Sequence, residues 1–161
     1  KMSDKKNKLL LWKATETGKP DLIPKILAKG ISIDEPLTDA GMVGLHLACA
    51  QGDLASATIF VDNGADVNST DNVSRTPLHF AAANGKNIDL IDFLVSKGAN
   101  VNSQSTGGDT PLMKAIMFDN TEAAKSLIDH GADKTIENAN GRNAINFAEA
   151  SRNQDIISLF E

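Results

Sequence analysis

The chain has 161 residues, of which 41% are hydrophobic and 23% charged, and its formal net charge is −5. These values are ordinary for a folded protein, and the negative charge argues against a general nucleic-acid binder. No apolar run approaches the roughly 20 residues that a membrane-spanning helix needs, so no membrane partner is expected. The single cysteine, Cys49, excludes an internal disulfide framework and indicates a reducing compartment. We therefore expect a cytoplasmic or nuclear location.

The first seven residues are polar and basic, and they are predicted to form a mobile tail without the apolar stretch of a secretory signal. Residues 8–18 predict a first helix, and residues 21–29 predict a second helix that ends at Gly30. Pro24 is compatible with that second helix only in its first turn, where a missing N–H costs little.

A leucine and an alanine recur through the whole chain at a constant spacing. The leucine positions, the last of which holds isoleucine, are Leu11, Leu45, Leu78, Leu112 and Ile145. The alanine three residues later recurs at Ala14, Ala48, Ala81, Ala115 and Ala148. Both series advance by 33 or 34 residues, and a helix-ending glycine keeps the same step at Gly30, Gly64, Gly98 and Gly131. The sequence therefore predicts five repeats, at about 8–37, 38–70, 71–104, 105–137 and 138–161.

Each predicted repeat contains two short helices whose apolar residues cannot all be buried within one pair. In repeat three, Leu90, Ile91, Leu94 and Val95 form an apolar stripe at helical spacing. Stacking buries such stripes between neighbouring units, so roughly three or more repeats are needed for a stable structure.

Repeat three carries the clearest motif, in which Thr76 and Pro77 precede Leu78, His79 and Ala81. This T-P-L-H-x-A pattern resembles the ankyrin-repeat family, and the resemblance covers residues 8–161. It implies an all-α solenoid of L-shaped helix pairs with projecting hairpin loops and a concave face of hairpin tips and first helices. It also implies that the motif histidine hydrogen-bonds to hairpin loops and joins one unit to the next.

The other repeats depart from this motif in ways that matter for stability. Repeat two has Val43 and Gly44 in place of Thr-Pro, and the missing cap should cost roughly 1 kcal/mol. Trp12 and Met113 replace the histidine in repeats one and four. Repeat five ends within its second helix, either as a natural C-terminal cap or as the point where a longer chain was cut.

The residue types that could carry chemistry show no catalytic or metal-ligand spacing, so no enzyme, no cofactor and no metal are expected. His46 and His79 hold equivalent positions about 10 Å apart, by the usual helix spacing, which is too far to share a metal ion. His130 falls in the last turn of a helix, where a cation suits the helix dipole. Cys49 is predicted to be a small core residue.

The family instead implies contact positions at the hairpin tips and at the exposed ends of the first helices. Among these, Met117 and Phe118 are large apolar residues where small or polar ones are usual, and they are candidate anchors for a partner. The alternative is that they pack under the hairpin of repeat four or against repeat five. The complete set of candidate contact residues is Met42, Gln51, Asn72, Val73, Arg75, Asn84, Asp109, Met117, Phe118 and Arg142.

Two hairpin asparagines, Asn68 and Asn102, resemble the targets of asparaginyl β-hydroxylation in ankyrin domains. Leu94 lies eight residues before Asn102, and Phe60 holds the equivalent place before Asn68. The alternative is that both are turn asparagines with hydrogen-bonding roles.

The sequence thus predicts a monomeric, non-catalytic scaffold that binds a protein or peptide partner through its concave face, near repeats three and four. Two alternatives remain at this stage. One is a stand-alone inhibitor that clamps an enzyme, and the other is a localisation module of a larger multidomain protein.

Overall fold

The computed structural model describes residues 2–161 as ten α-helices and one 3-10 helix, with no β-strand in that range. The 3-10 helix is Pro20–Leu22. The α-helices are α1 (Met2–Glu16), α2 (Ile23–Leu27), α3 (Gly44–Ala50), α4 (Leu54–Asp62), α5 (Pro77–Asn84), α6 (Ile88–Ser96), α7 (Pro111–Met117), α8 (Thr121–Asp129), α9 (Ala144–Ser151) and α10 (Gln154–Ser158).

The helices form two layers. The odd-numbered helices are the first helices of the five repeats, and each packs beside the next from α1 to α9. The even-numbered second helices form a parallel row, and each packs on the first helix of its own repeat. This arrangement confirms the predicted all-α solenoid of stacked helix pairs.

The periodic positions form the core. The motif leucines at 11, 45, 78 and 112 are no more than 1% exposed, and the motif alanines from 14 to 148 are no more than 4% exposed. Phe60 is the largest side chain that is fully buried. Alanine is the most frequent residue of this core, and the buried residues of all five repeats belong to one continuous cluster.

The structure describes residues 2–7 as helical, whereas the sequence predicts a mobile tail at residues 1–7. Helix α1 begins at Met2, and residues 2–7 form its first turns; residue 1 lies outside the described residues. The physical reason is that this segment contains neither glycine nor proline, while lysine favours helix. The composition of this segment is therefore compatible with the helix.

Side-chain caps explain where the first helices begin. The Thr76 hydroxyl accepts a hydrogen bond from the His79 N–H, and Thr110 does the same for Met113. Helix α3 has no such side-chain cap at Val43, as expected. The imidazole Nδ1 of His46 instead accepts the Val43 N–H at 3.0 Å, so one of the unpaired donors at this end is still satisfied.

All five first helices end in the same left-handed turn. The residue four positions after each motif alanine has φ between +58° and +69°, and these residues are Gly18, Gly52, Gly85, Asp119 and Arg152. Repeat three has one residue more than repeats two and four between its motif alanine and its helix-ending glycine, and this residue, Lys86, lies in the turn between α5 and α6. Pro24 lies in the first turn of α2, as its chemistry requires.

Candidate partner-binding surface

Neighbouring hairpin tips are joined by backbone hydrogen bonds at equivalent positions. The N–H of Asn72 donates to the carbonyl of Ala40, that of Thr106 to Val73, and that of Ala139 to Gly107, each at 2.9 Å. Because every tip is bonded to the next one, the row of tips is a single ordered surface rather than a set of independent loops.

The motif histidines hold this row to the helices. Nε2 of His79 donates to the carbonyl oxygen of Asp109 at 2.8 Å, while its Nδ1 accepts the Thr76 N–H at 3.0 Å. Nε2 of His46 likewise lies 3.0 Å from the carbonyls of Ser69 and Arg75. Burial lowers the pKa of both histidines, which keeps the imidazoles neutral and suited to these two-sided bonds. Their predicted structural role is therefore present in the geometry.

Met113 offers no such bond, and the hairpins before repeats four and five are held together differently. The side-chain amide of Asn138 donates to Oδ1 of Asp109 at 3.0 Å, and that of Gln104 donates to the carbonyl of Glu137 at 3.1 Å. Gly108 also allows close approach, since a side chain there would collide with the backbone of Asn138 and Ala139.

The large apolar candidates of repeats three and four are exposed. Phe118 is 58% exposed at the end of α7, the preceding Met117 is 48% exposed, and Val73 on its hairpin tip is 45% exposed. The alternative that Met117 and Phe118 pack under the hairpin or against repeat five does not hold. Of the remaining candidates, Gln51 is exposed and Met42 is half-buried.

Most of the polar candidates already have structural hydrogen bonds. The amide of Asn72 donates to the carbonyl of Asp39 at 2.9 Å, and that of Asn84 donates to Ala50 at 3.0 Å. The Arg142 guanidinium lies over the Phe147 ring at 4.3 Å. These side chains set the shape of the surface, and Val73, Met117 and Phe118 are its exposed large apolar residues.

Arg75 has a structural role as well. Its Nε donates to Oδ2 of the buried Asp71 at 2.8 Å, and its guanidinium stacks over Phe80 at 4.7 Å. Burial alone would raise the pKa of Asp71, but hydrogen bonds from Arg75 and Val73 outweigh it and leave that pKa below its usual value. The pair fixes the tip on which Val73 is displayed.

Asn68 and Asn102 both bond across to the next hairpin. Oδ1 of Asn68 accepts the Asn100 N–H at 2.9 Å and its amide donates to Gly98, while Oδ1 of Asn102 accepts the Asp133 N–H at 2.8 Å. Both therefore have the hydrogen-bonding role of turn asparagines, and a modifying enzyme would have to displace these bonds.

The other titratable side chains form no recognisable reaction centre. His130 donates to Oδ1 of Asp92 at 2.8 Å on the second-helix side, and Ser126 donates to the same oxygen. Cys49 is fully buried and its burial raises the thiol pKa, which makes it unreactive. Among residues 2–161, no three His, Cys, Asp or Glu side chains are grouped so that they could hold a metal ion. Within the same range, no helix has the length and apolar character needed to cross a membrane.

Two exposed apolar residues, Leu22 and Leu9, were not among the candidates, and Leu9 is the more exposed of the two at 60%. A signal for it was present in the sequence, because residues 9–12 are four successive apolar residues. A helix with one buried face needs an apolar residue only at every third or fourth position, so four successive apolar residues cannot all be buried.

The chain matches a known family over nearly its full length. The family described as "Ankyrin repeats (3 copies)" matches residues 10–105 and 78–160. The putative ankyrin repeat protein FPV031 of fowlpox virus is 30% identical over 162 aligned positions, which cover 96% of this chain and 47% of the viral protein.

Other relatives are large proteins of several kinds. The palmitoyltransferase AKR1 of Lachancea kluyveri is 34% identical over 67% of this chain and 15% of its own length. The human neurogenic locus notch homolog protein 2 is 28% identical over 89% of this chain and 6% of its own length. The chain thus spans less than half the length of each of these relatives. Ankyrin repeats generally mediate protein–protein interaction, and domains built from them are typically non-catalytic. The chain has five helix pairs and histidine hydrogen bonds between repeats, and it matches the family over nearly its full length. The chain therefore belongs to the ankyrin-repeat family.

Proposed function

We propose that this chain is a non-catalytic scaffold whose concave face, made of hairpin tips and first helices, binds a partner protein or peptide near repeats three and four. The observation that carries the proposal is the exposure of Met117 and Phe118 at the end of α7. Exposure of a phenylalanine and a methionine side chain to water is unfavourable. A partner that covers both side chains removes this apolar surface from water, which favours binding.

The scaffold supports such a role because the residues around these anchors are already held in place. Asn120 donates to the carbonyls of Ala82 and Ala83 at 2.9 Å and 2.8 Å, which ties the turn after Phe118 to helix α5. Asn153 donates to Asp119 from the other side at 2.6 Å. Binding then requires little ordering of the chain, which favours affinity.

Met42 and Val73 extend the proposed apolar surface along the tips. Gln51, Asn72, Arg75, Asn84, Asp109 and Arg142 form its polar surroundings in this proposal. Modification of Asn68 or Asn102 is a separate and minor proposal, tested by a mass shift on a hairpin peptide from protein of the native cell.

Such a surface is compatible with two kinds of protein, a stand-alone regulator and a module of a larger protein. A stand-alone regulator would use it to clamp an enzyme, and a module of a larger protein would use it to set localisation. The coverage of the relatives, in which the matching segment is a small part of a long chain, favours the module.

The test is a proteome-scale pull-down with three matched baits: the wild type, Phe118→Asp and Lys125→Ala. Lys125 is exposed on α8, the second helix of the same repeat, and pairs with Asp129 one turn further along that helix, so it serves as a control away from the proposed surface. We expect proteins that bind the wild type and the Lys125 variant but not the Phe118 variant. If the three baits retain the same proteins, the proposed surface is not the binding site.

A further inference from the structure

The charges of this chain are strongly separated along the solenoid. Residues 1–30 contain eight lysines against three carboxylates, whereas residues 31–161 contain eight cationic side chains against 18 carboxylates. Residues 1–30 are therefore a basic segment at the start of an otherwise acidic sequence, although repeat one also includes Asp34 and Glu35. This segment attracts anionic ligands more than the rest of the surface does.

A groove with an apolar floor lies on this basic unit. It has a volume of about 400 Å³ and is lined by Leu9 and Trp12 of α1, by Leu37 of the following hairpin, and by the side chains of Lys5 and Lys8. Leu9 is 60% exposed, while Trp12 and Leu37 are half-buried. On a helix, residues 5, 9 and 12 fall on one face, so the groove runs along α1.

The equivalent positions of the inner repeats are covered. Trp12 holds the place of His46 and His79, which are at most 1% exposed, and Leu9 holds the place of Val43 and Thr76, which are at most 4% exposed. In repeat one, α1 continues where the other repeats have a hairpin, and among residues 2–161 the hairpin of repeat two covers Trp12 only in part and leaves Leu9 exposed. Apolar side chains are thus left open at a site that is closed in repeats two and three.

The rim of the groove is cationic despite two nearby carboxylates. Nζ of Lys8 lies 3.1 Å from Oε1 of Glu35, and both side chains are only partly exposed. Asp4 lies on the same helix and has an interaction partner as well. Lys5 and Lys6 are exposed on α1 beside the groove. An approaching anion would therefore meet more positive than negative charge here.

We propose that this groove binds an acidic peptide segment that inserts one or two large aliphatic side chains between Leu9, Trp12 and Leu37, with its carboxylates on Lys5 and Lys8. The groove extends from α1 to Leu37 of the following hairpin, so a bound peptide chain contacts both elements at once. The site lies on repeat one and is independent of the Met117 and Phe118 surface on repeat four.

The single tryptophan of the chain makes a direct test available, because the chain has no tyrosine and Trp12 is part of the proposed site. The probe is a synthetic twelve-residue peptide with several glutamates and two leucines and no aromatic residue. Matched control peptides replace the leucines by alanine or the glutamates by lysine. We expect saturable binding of the first peptide with a blue shift of Trp12 emission, and no comparable shift with either control.

Variants separate this site from general charge attraction. We expect Leu9→Asp to weaken binding about tenfold or more and Leu9→Ala to weaken it less, by loss of apolar contact. Lys5→Glu should weaken binding several-fold, most at low salt. Lys25→Glu, an equal charge reversal on α2, should leave it within about twofold, since screening separates the two sites. Circular dichroism confirms that each variant is folded.

Several results would overturn the proposal. They are an unshifted Trp12 emission with all three peptides, equal binding of the leucine and alanine peptides, or equal losses for Lys5→Glu and Lys25→Glu. Vesicles of phosphatidylcholine with phosphatidylserine are titrated in parallel, and a Trp12 shift with vesicles but not with the peptide would assign the surface to a membrane instead.

Discussion

The aromatic ring of Phe60 on α4 occupies the space that a side chain at position 44 on α3 would need. Repeats three and four have proline at the position of Gly44, in Pro77 and Pro111, and leucine at the position of Phe60, in Leu94 and Leu127. Repeat two has therefore exchanged a proline and a leucine for a glycine and a phenylalanine. The glycine that seemed only to weaken the start of α3 allows the largest fully buried side chain to fit.

This exchange predicts that the effect of Gly44→Ala on stability changes sign when Phe60 is replaced by leucine. Gly44→Ala should cost about 1–3 kcal/mol of unfolding free energy by overpacking against Phe60. In a Phe60→Leu background the same change should be neutral or stabilising, because the ring is gone and alanine favours helix by about 1 kcal/mol over glycine. Urea denaturation of the four proteins measures the coupling. An equal cost of Gly44→Ala in both backgrounds would contradict the packing relationship.

The two buried histidines predict a loss of stability in mild acid. Burial lowers the pKa of His46 and His79 in the folded state, whereas the unfolded histidines titrate near their ordinary value of about 6.5. Stability is therefore complete above about pH 6.5 and falls as the pH drops from there toward the lower folded-state pKa. The maximal slope is about 1.4 kcal/mol per pH unit for each histidine.

The control for this pH dependence is a side chain that does not titrate. His79→Gln should lower stability at pH 7.5 by about 1–3 kcal/mol, since it disturbs buried bonds to Asp109 and Thr76. It should also reduce the pH dependence of the unfolding free energy below pH 6.5 to the part that His46 contributes. The measurement is urea unfolding at several pH values, and a variant with the wild-type slope would show that His79 does not carry the effect.

The left-handed turns that end the first helices predict opposite results at two equivalent positions. Arg152 has φ of +58°, which strains a residue with a side chain, so Arg152→Gly should stabilise the protein by up to about 1 kcal/mol. Asp119 has φ of +61°, but its carboxylate accepts a 2.6 Å bond from Asn153. Asp119→Gly should therefore give no net gain. Thermal unfolding of both variants tests this, and stabilisation by Asp119→Gly alone would refute it.

The fold could be predicted because its signals are local and repeated. The spacing of Leu45, Leu78 and Leu112 gives the period, and the Thr-Pro pair gives the start of a helix. The structure of residues 2–7 could not be predicted in the same way, since α1 replaces the hairpin that precedes every other first helix. A repeat pattern makes no prediction for a segment that does not follow the pattern.

The candidate surface was predictable only in part, for a related reason. The exposure of Phe118 follows from its position in the repeat. The bonds of Asn72, Asn84 and Asp109 depend on side-chain and backbone groups of a neighbouring repeat, about 30 residues away in sequence. Those groups are in reach only once the units are stacked, so the sequence could not separate structural polar residues from free ones.

The most direct test of the proposed function compares binding and folding in one variant. A partner recovered with the wild-type chain is titrated against wild type and Phe118→Ala by calorimetry, and the unfolding free energy of both proteins is measured in urea. We predict that affinity falls about tenfold or more while the unfolding free energy changes by less than about 0.5 kcal/mol, as usual for exposed residues. Unchanged affinity, or loss of affinity with a loss of more than about 2 kcal/mol in stability, would contradict the proposal.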